Sequence, residues 1–218
     1  MIADHFPPMG IRLTTPRLTL RMPTDSDLVA LAEAAVAGVH DPDTMPFIFP
    51  WTDQPPKRLA QGVIQHNWRT LGSWTPESWC FNGIVEFEGR VVGIQDMRAR
   101  DFATLRQVGT GSWLTRSAQG RGIGTEMRAA VLHLAFEGLD ALDATTGMFE
   151  TSLASQGVTR KLGYRPDGVH YVQVRGERVR ELRYRLTRQD WEKHRTVPVE
   201  VEGLEPALAH FGLGDPPD

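Results

Sequence analysis

The chain has 218 residues, a formal net charge of −3, 40% hydrophobic and 23% charged residues. This composition excludes a disordered or fibrous chain, and it excludes a global basic field able to hold nucleic acid or an anionic membrane. A single cysteine, Cys80, excludes an internal disulfide, and no Cys/His cluster has metal-ligand spacing, so no metal is expected and a reducing, cytoplasmic setting fits best.

The opening "MIADHFPPMG" lacks a basic segment followed by an apolar one, and no run of about 18 apolar residues occurs, so neither export nor membrane spanning is expected. "RLTLRM" (Arg17 to Met22) alternates as a strand does. Thr24 follows as an N-cap with Asp27 three residues on, close to a capping box, and predicts a first helix over about Asp27 to Val39. His40 to Pro56 is dense in proline and aromatic residues and reads as an irregular loop. A second helix is predicted from Lys57 to Thr70.

Trp79 to Met97 carries two β-rich runs joined at Gly89, a hairpin, and "QVGTGSWL" (Gln107 to Leu114) adds a third neighbouring strand. Beyond the glycine-rich "QGRGIG", Met127, Ala130, Val131, Leu134 and Ala135 mark one face of a helix that stops near Gly138. Ala141 to Phe149 returns as a strand, so Gln107 to Phe149 is one βαβ crossover inside a mixed sheet. A short helix over Ala154 to Leu162 ends at Gly163. Val169 to Leu186 forms a hairpin, "TRQDWEKHR" a brief helix, and Thr196 to Asp218 a Pro/Gly-bearing tail. One domain over residues 1–195 with a C-terminal extension, 196–218, is therefore expected. The extension docks either on its own domain or on a second subunit, which leaves a homodimer open.

The strand-to-helix junction at "TRSAQGRGIGTEM" draws attention because the first amides of a helix lack partners and carry partial positive charge. Without side chains at Gly120, Gly122 and Gly124, successive amides can touch phosphate oxygens, with the Thr125 hydroxyl and the Arg121 charge alongside. A tight turn would use the same glycines. No Gly-Lys-Ser/Thr follows, and Met127 stands where a dinucleotide-binding motif needs its last glycine, so another phosphorylated cofactor is wanted.

"QGRGIG" matches the Q/R-x-x-G-x-G/A signature of the GNAT superfamily of acyl-CoA-dependent N-acyltransferases. "LTTPRLTLR", "GSWLTRSAQGRGIGTEM" and "TSLASQGVTRKLGY" resemble, in order and spacing, the blocks of its RimJ/RimL-like branch from about residue 11 to 188. The resemblance implies an α/β (α+β) fold: a mixed, mostly antiparallel seven-stranded sheet with splayed central parallel strands and about four helices. It implies acetyl-CoA or another acyl-CoA as co-substrate and an amine-bearing acceptor as partner. The strand Ser112, Trp113, Leu114 and Thr115 would pair with the pantetheine arm. Gln119, Gly120, Arg121, Gly122, Ile123, Gly124 and Thr125 would hold the pyrophosphate, and the helix Ala154 to Leu162 would flank the pantetheine and the thiol end, with Ser152 and Ser155 in the block that contacts the cofactor.

Acyl transfer to an amine needs a neutral nucleophile, a polarised carbonyl and a proton for the departing thiolate. The Trp113 or Leu114 amide can polarise the carbonyl. Where relatives carry a basic glutamate this chain has Gly109, so Asp96, Asp101 or His170 is expected to take the proton. Where relatives place an acidic tyrosine this chain has Thr159, so Ser155 is the expected donor, unless Ser152 and Ser155 merely cap their helix. Phe47, Phe49 and Trp51 are candidates for the acceptor wall. Arg98, Arg100 and Arg106 would greet an acidic acceptor or a succinyl-type acyl group, or lie in a solvated turn. The expected activity is N-acetyl transfer from acyl-CoA to a primary amine of a small molecule, peptide or protein. A succinyl-CoA or other acyl donor, a non-catalytic CoA-binding regulatory module, and a nucleotide-binding protein remain alternatives.

Overall fold

The computed structural model describes residues 1–214; the last four residues of the tail lie outside the described residues. Its strands are β1 (Arg12–Thr14), β2 (Leu18–Arg21), β3 (Ser78–Phe87), β4 (Arg90–Arg100), β5 (Gln107–Leu114), β6 (Asp143–Phe149), β7 (Arg165–Val174), β8 (Glu177–Thr187) and β9 (Glu200–Glu202). Its α-helices are α1 (Asp25–Val36), α2 (Pro56–Gly72), α3 (Phe102–Leu105), α4 (Ile123–His133), α5 (Leu153–Lys161) and α6 (Arg188–His194). The strands form one sheet in the order β7-β8-β6-β5-β4-β3-β2-β1-β9, and every neighbouring pair is antiparallel except β5 with β6.

The sheet has nine strands where seven are expected, and α3 and α6 bring the α-helices to six among the described residues. The two extra strands are β1 and β9. Each is three residues long, and they pair with each other across nearly the whole chain, Leu13 opposite Val201. A three-residue alternation is too short to register as a local pattern.

Helix α1 starts where its cap dictates. The Thr24 hydroxyl accepts from the Asp27 amide while the Asp27 carboxylate accepts from the Thr24 amide at 2.8 Å, so the first helical residue is Asp25 rather than Asp27. Helix α4 runs on through a π-type turn, Leu134–Gly138, before the chain enters β6.

Two cores lie against the sheet. Leu31, Ala35 and Val39, following α1, meet Leu59 and Val63 of α2 over Ile84 and Ile94 on one face. The larger cluster gathers Met127, Ala130, Val131 and Leu134 against Phe81, Val85 and Met97 on the other. The tail belongs to this second core. Ala207 and Phe211 are fully buried, the Phe211 ring stands edge-on to Trp79 with centroids 4.7 Å apart, and the Trp74 indole donates to the His210 carbonyl at 2.7 Å. Residues 196–214 thus pack on their own domain. Among the described residues no helix is long and apolar enough to cross a membrane.

Candidate active site

The glycine loop leaves a row of amides without partners at the start of α4. Gly120 (φ 72°) and Gly122 (φ 79°) both take the left-handed backbone that only glycine adopts cheaply, and Gly122 caps α4. Among the described residues, no amide from Gly120 to Gly124 donates to a protein acceptor; the first satisfied ones are Thr125 and Glu126, both to the Gly122 carbonyl. Five free amides at a helix N-terminus make a cradle that an anion would fit. The third glycine differs from the first two. Gly124 lies inside the first turn of α4, and a methyl there would meet Val158 at an ordinary 3.5 Å.

Residues outside the loop hold it in shape. The buried Glu126 carboxylate accepts from the Thr15 hydroxyl at 2.7 Å, the Arg17 amide at 3.0 Å and the Arg17 Nε at 2.7 Å, while Arg17 Nη1 donates to the Arg121 carbonyl at 3.1 Å. Gln119 serves as a clip, since its side-chain amide donates to the carbonyls of Val39 and Leu114 at 2.6 and 2.9 Å and is not turned to the cradle. Arg121 lies over the Phe87 ring at 4.6 Å and within 3.6 Å of Glu88.

From the cradle a gap runs between two strands. β5 and β6 are paired only from Gln107 to Gly109 against Asp143 to Thr145; beyond Gly109 they diverge, β5 staying with β4 and β6 with β8. The Leu114 carbonyl faces away from β4, to Gln119, and the Thr110 carbonyl faces Thr146. The Thr115 amide bonds Val92 of β4 instead. The two-residue alternation of a strand therefore aims the Ser112 and Leu114 backbone groups into the gap and those of Trp113 into the sheet. Along β5, the gap from Leu114 to its closed end at Gly109 measures roughly 17 Å at about 3.4 Å per residue.

On the α1/α2 side, polar side chains cross the gap above strand glycines. A methyl on Gly111 would lie 2.5 Å from Asp96 Oδ2, and one on Gly147 would overlap Glu181 Oε1, so both carboxylates occupy space that side chains on β5 and β6 would fill. Arg98 pairs with Asp96 and lies 3.7 Å from the Gly109 position, and His170 Nδ1 stands 3.7 Å from Glu181 Oε2. His66 of α2 also faces Asp96; burial first, then Arg69, pulls its pKa down against the pull of Asp96, which favours a neutral imidazole. Cys80 opposite Arg98 is inert, its thiol pushed up to about 12 by burial and then by Asp96. Above them Trp51 packs between Phe47 and Trp113, with centroids 5.1 and 5.6 Å away. Arg175 at the β7-β8 turn grips Asp53 beside Trp51 through two bonds, 2.8 and 2.5 Å, and so spans the cleft.

A model of the acetyltransferase (GNAT) domain matches residues 17–165, more than half of the chain. The chain belongs to the GNAT acetyltransferase family. Similar solved structures include Mycobacterium smegmatis RimJ in complex with CoA-disulfide (18% identity, TM-score 0.63, covering 83% of this chain and 88% of that one). RimL, a ribosomal L7/L12 alpha-N-protein acetyltransferase in complex with coenzyme A, matches at 18% identity and TM-score 0.61, covering 79% and 95%. A GCN5-related N-acetyltransferase from Brucella melitensis matches at 15% identity and TM-score 0.65, covering 83% and 80%. At these identities the likeness is one of fold; the family match identifies this GNAT chain as an acyl-CoA-dependent N-acetyltransferase.

In this GNAT chain the expected site residues divide by place. Gly120 to Thr125, Ser112 to Leu114, Asp96, Arg98, His170, Phe47 and Trp51 surround the cradle, the gap or the cleft above it. Asp101, Arg100 and Arg106 lie past the closed end of the gap: Asp101 is exposed, and Arg106 donates to the Leu139 carbonyl. Phe49 is 76% exposed and stands outside the aromatic wall. Ser152 holds the N-cap position of α5 but its hydroxyl caps nothing, and Ser155, one turn further on, shares a face with Thr159. Thr159 is fully buried, with its hydroxyl 3.8 Å from Met148 Sδ of β6.

Glu181, Arg17 and Glu126 were not singled out by sequence reasoning. Arg17 and Glu126 stand 109 positions apart, so no local pattern joins them. Glu181 had an indirect signal in Gly147, a glycine within a strand, which often marks close approach of another group. A cavity of about 270 Å³ also opens beside Thr125, lined by His133, Lys161, Trp191, His194 and Arg195 among others.

Proposed function

We propose that this enzyme moves an acyl group, most simply acetyl, from acyl-CoA to a primary amine of a small molecule, peptide or protein. The observation that carries the reading is a gap between β5 and β6 that begins at five unpartnered amides and ends under two carboxylates. Bound acyl-CoA supplies a thioester as the acyl donor. The Gly120 to Gly124 amides and the Thr125 hydroxyl hold its diphosphate, and the cations Lys161 and Arg195 around the adjoining cavity favour its nucleotide end. The outward-facing backbone of Ser112 and Leu114 pairs with the arm, and the Leu114 amide, rather than that of Trp113, polarises the carbonyl.

The amine enters from the α1/α2 side, against Phe47, Trp51 and Trp113. The carboxylates of Asp96 and Glu181 attract it as an ammonium and accept its protons. Glu181 is the better acceptor, because Arg98 holds one oxygen of Asp96 in direct contact whereas, among the described residues, the salt-bridge partner of Glu181 is His170 at 3.7 Å, with Arg98 acting on it from further off. The Ser155 hydroxyl relays a proton to the departing sulfur. An acetyl donor suits this site better than succinyl: Arg98 is tied to Asp96, and Arg100 and Arg106 lie beyond the closed end of the gap, so no free guanidinium of the three waits for an acyl carboxylate. The lone cysteine suits a cytoplasmic location.

Calorimetry with CoA, acetyl-CoA and succinyl-CoA tests the donor, and thiol release with a panel of amines tests turnover. Binding of acetyl-CoA with amine-dependent thiol release is expected. Binding without release for any amine would replace the enzyme by a CoA-binding regulatory module.

A further inference from the structure

The α4 side of the gap holds a buried cation with no anion beside it. Arg128 is 6% exposed, and among the described residues no carboxylate lies within salt-bridge distance of its guanidinium. Nη1 reaches the Thr159 hydroxyl of α5 at 3.3 Å and Nη2 the Ser112 hydroxyl of β5 at 3.4 Å, both long contacts, and Nε has no partner. Gln95 Oε1, opposite Ser112 in the β4-β5 ladder, is likewise buried and unpartnered among the described residues, and the buried Tyr164 hydroxyl nearby has the Thr110 side chain as its neighbour. Buried polar groups are ordinarily satisfied, and a buried guanidinium without a counter-ion is costly. Burial accordingly pulls the Arg128 pKa down, opposed by the neighbouring Tyr164 and, from the opposite side of the sheet, by Asp96.

The location gives the orphaned charge a use. Its hydroxyl partners come from β5 and from α5, and Thr159 itself reaches β6 through Met148, so the guanidinium stands behind the gap where the two strands part. We propose that Arg128 is the cationic partner of the thiolate that leaves during acyl transfer, an assignment that rests on the acyltransferase reading above. As the C–N bond forms and the C–S bond breaks, the electron pair departs on sulfur and the ammonium proton passes to Glu181. Arg128 stabilises that sulfur as an anion until Ser155 relays a solvent proton to it. Thr159 is small enough to leave this space to the guanidinium, where a phenol would fill it. The charge develops only in the transition state and product, so the interaction favours both over the neutral thioester.

The test reads the thiol of bound coenzyme A directly, by ultraviolet thiolate absorbance across pH. In the native protein it titrates at least one pH unit below the thiol of free coenzyme A measured in the same way. The same shift makes coenzyme A gain up to about tenfold in affinity over acetyl-CoA as the pH rises through the bound and then the free thiol pKa. In Arg128→Met, a replacement of similar length, the bound thiol returns to the pKa of free coenzyme A or above while acetyl-CoA affinity changes less than threefold; Arg128→Lys keeps part of the shift. An unshifted thiol in the native protein overturns the assignment without recourse to any variant that fails to fold. Equal shifts in native and Arg128→Met proteins overturn it too. Failure of coenzyme A to bind at all would overturn the acyltransferase reading itself, and the assignment with it.

Discussion

Replacing Gly147 by alanine moves one carboxylate without changing any charge. Gly147 has no left-handed backbone, and alanine in a strand is favoured over glycine by roughly 0.5–1 kcal/mol, so the fold does not suffer. The new methyl would overlap Glu181 Oε1 and crowd its Cδ at 3.0 Å, so the carboxylate at the end of a flexible side chain must swing away. To reach an ordinary contact of about 3.5 Å the oxygen must retreat by about 1 Å. A displacement of that size at a proton-accepting group costs about 10²-fold in rate, or about 2.7 kcal/mol in the barrier. The assay is kcat/KM for thiol release at saturating acetyl-CoA, with Tm and acetyl-CoA affinity measured beside it. The expected result is a hundredfold fall in kcat/KM at unchanged Tm and unchanged acetyl-CoA affinity. Gly111→Ala does the same to Asp96 Oδ2, 2.5 Å from the added carbon, and should cost less because Arg98 already restrains that carboxylate. Native kcat/KM in folded Gly147→Ala would refute the placement of proton transfer at Glu181.

Gly122→Ala must hold a left-handed residue at the helix cap, so it should lose about 1–2 kcal/mol of stability and at least tenfold in CoA affinity, whereas Gly124→Ala should leave stability unchanged or raised; denaturant unfolding and calorimetry decide between them. Glu126→Ala strips Thr15 and Arg17 of their shared acceptor, and a loss of about 2–4 kcal/mol together with weaker CoA binding is expected in the same assays. Burial alone would raise the Asp27 carboxyl from 3.8, but the Arg21 guanidinium and the Thr24 hydroxyl and amide hold it at about 2. Its folded pKa is the lower one, so its contribution, about 1–2 kcal/mol after solvent screening, is complete above about pH 4 and lost as pH falls through about 2. Asp27→Asn should flatten that limb of the stability profile measured by urea unfolding.

What the sequence determined by itself was the local chemistry. Thr24 and Asp27 announce a helix start because a capping box is written within four residues. Gly120 and Gly122 announce exposed amides ahead of α4, because left-handed glycines before an amphipathic helix leave those amides free whatever surrounds them. The order strand, glycine loop, helix, strand likewise implies a parallel crossover, since such connections have few alternatives. Tertiary structure alone decided which side chains share the gap. Glu181 meets the cleft only because β8 lies beside β6, Arg17 reaches Glu126 across 109 positions, and Arg128 reads in sequence as an ordinary polar position on a helix. Its burial depends on β5, α5 and the diverging strands closing around it. Long-range neighbours arise from how elements pack, and no spacing along the chain encodes that distance; the glycines that mark the cradle are legible locally, while the charges gathered at the other end of the gap are not.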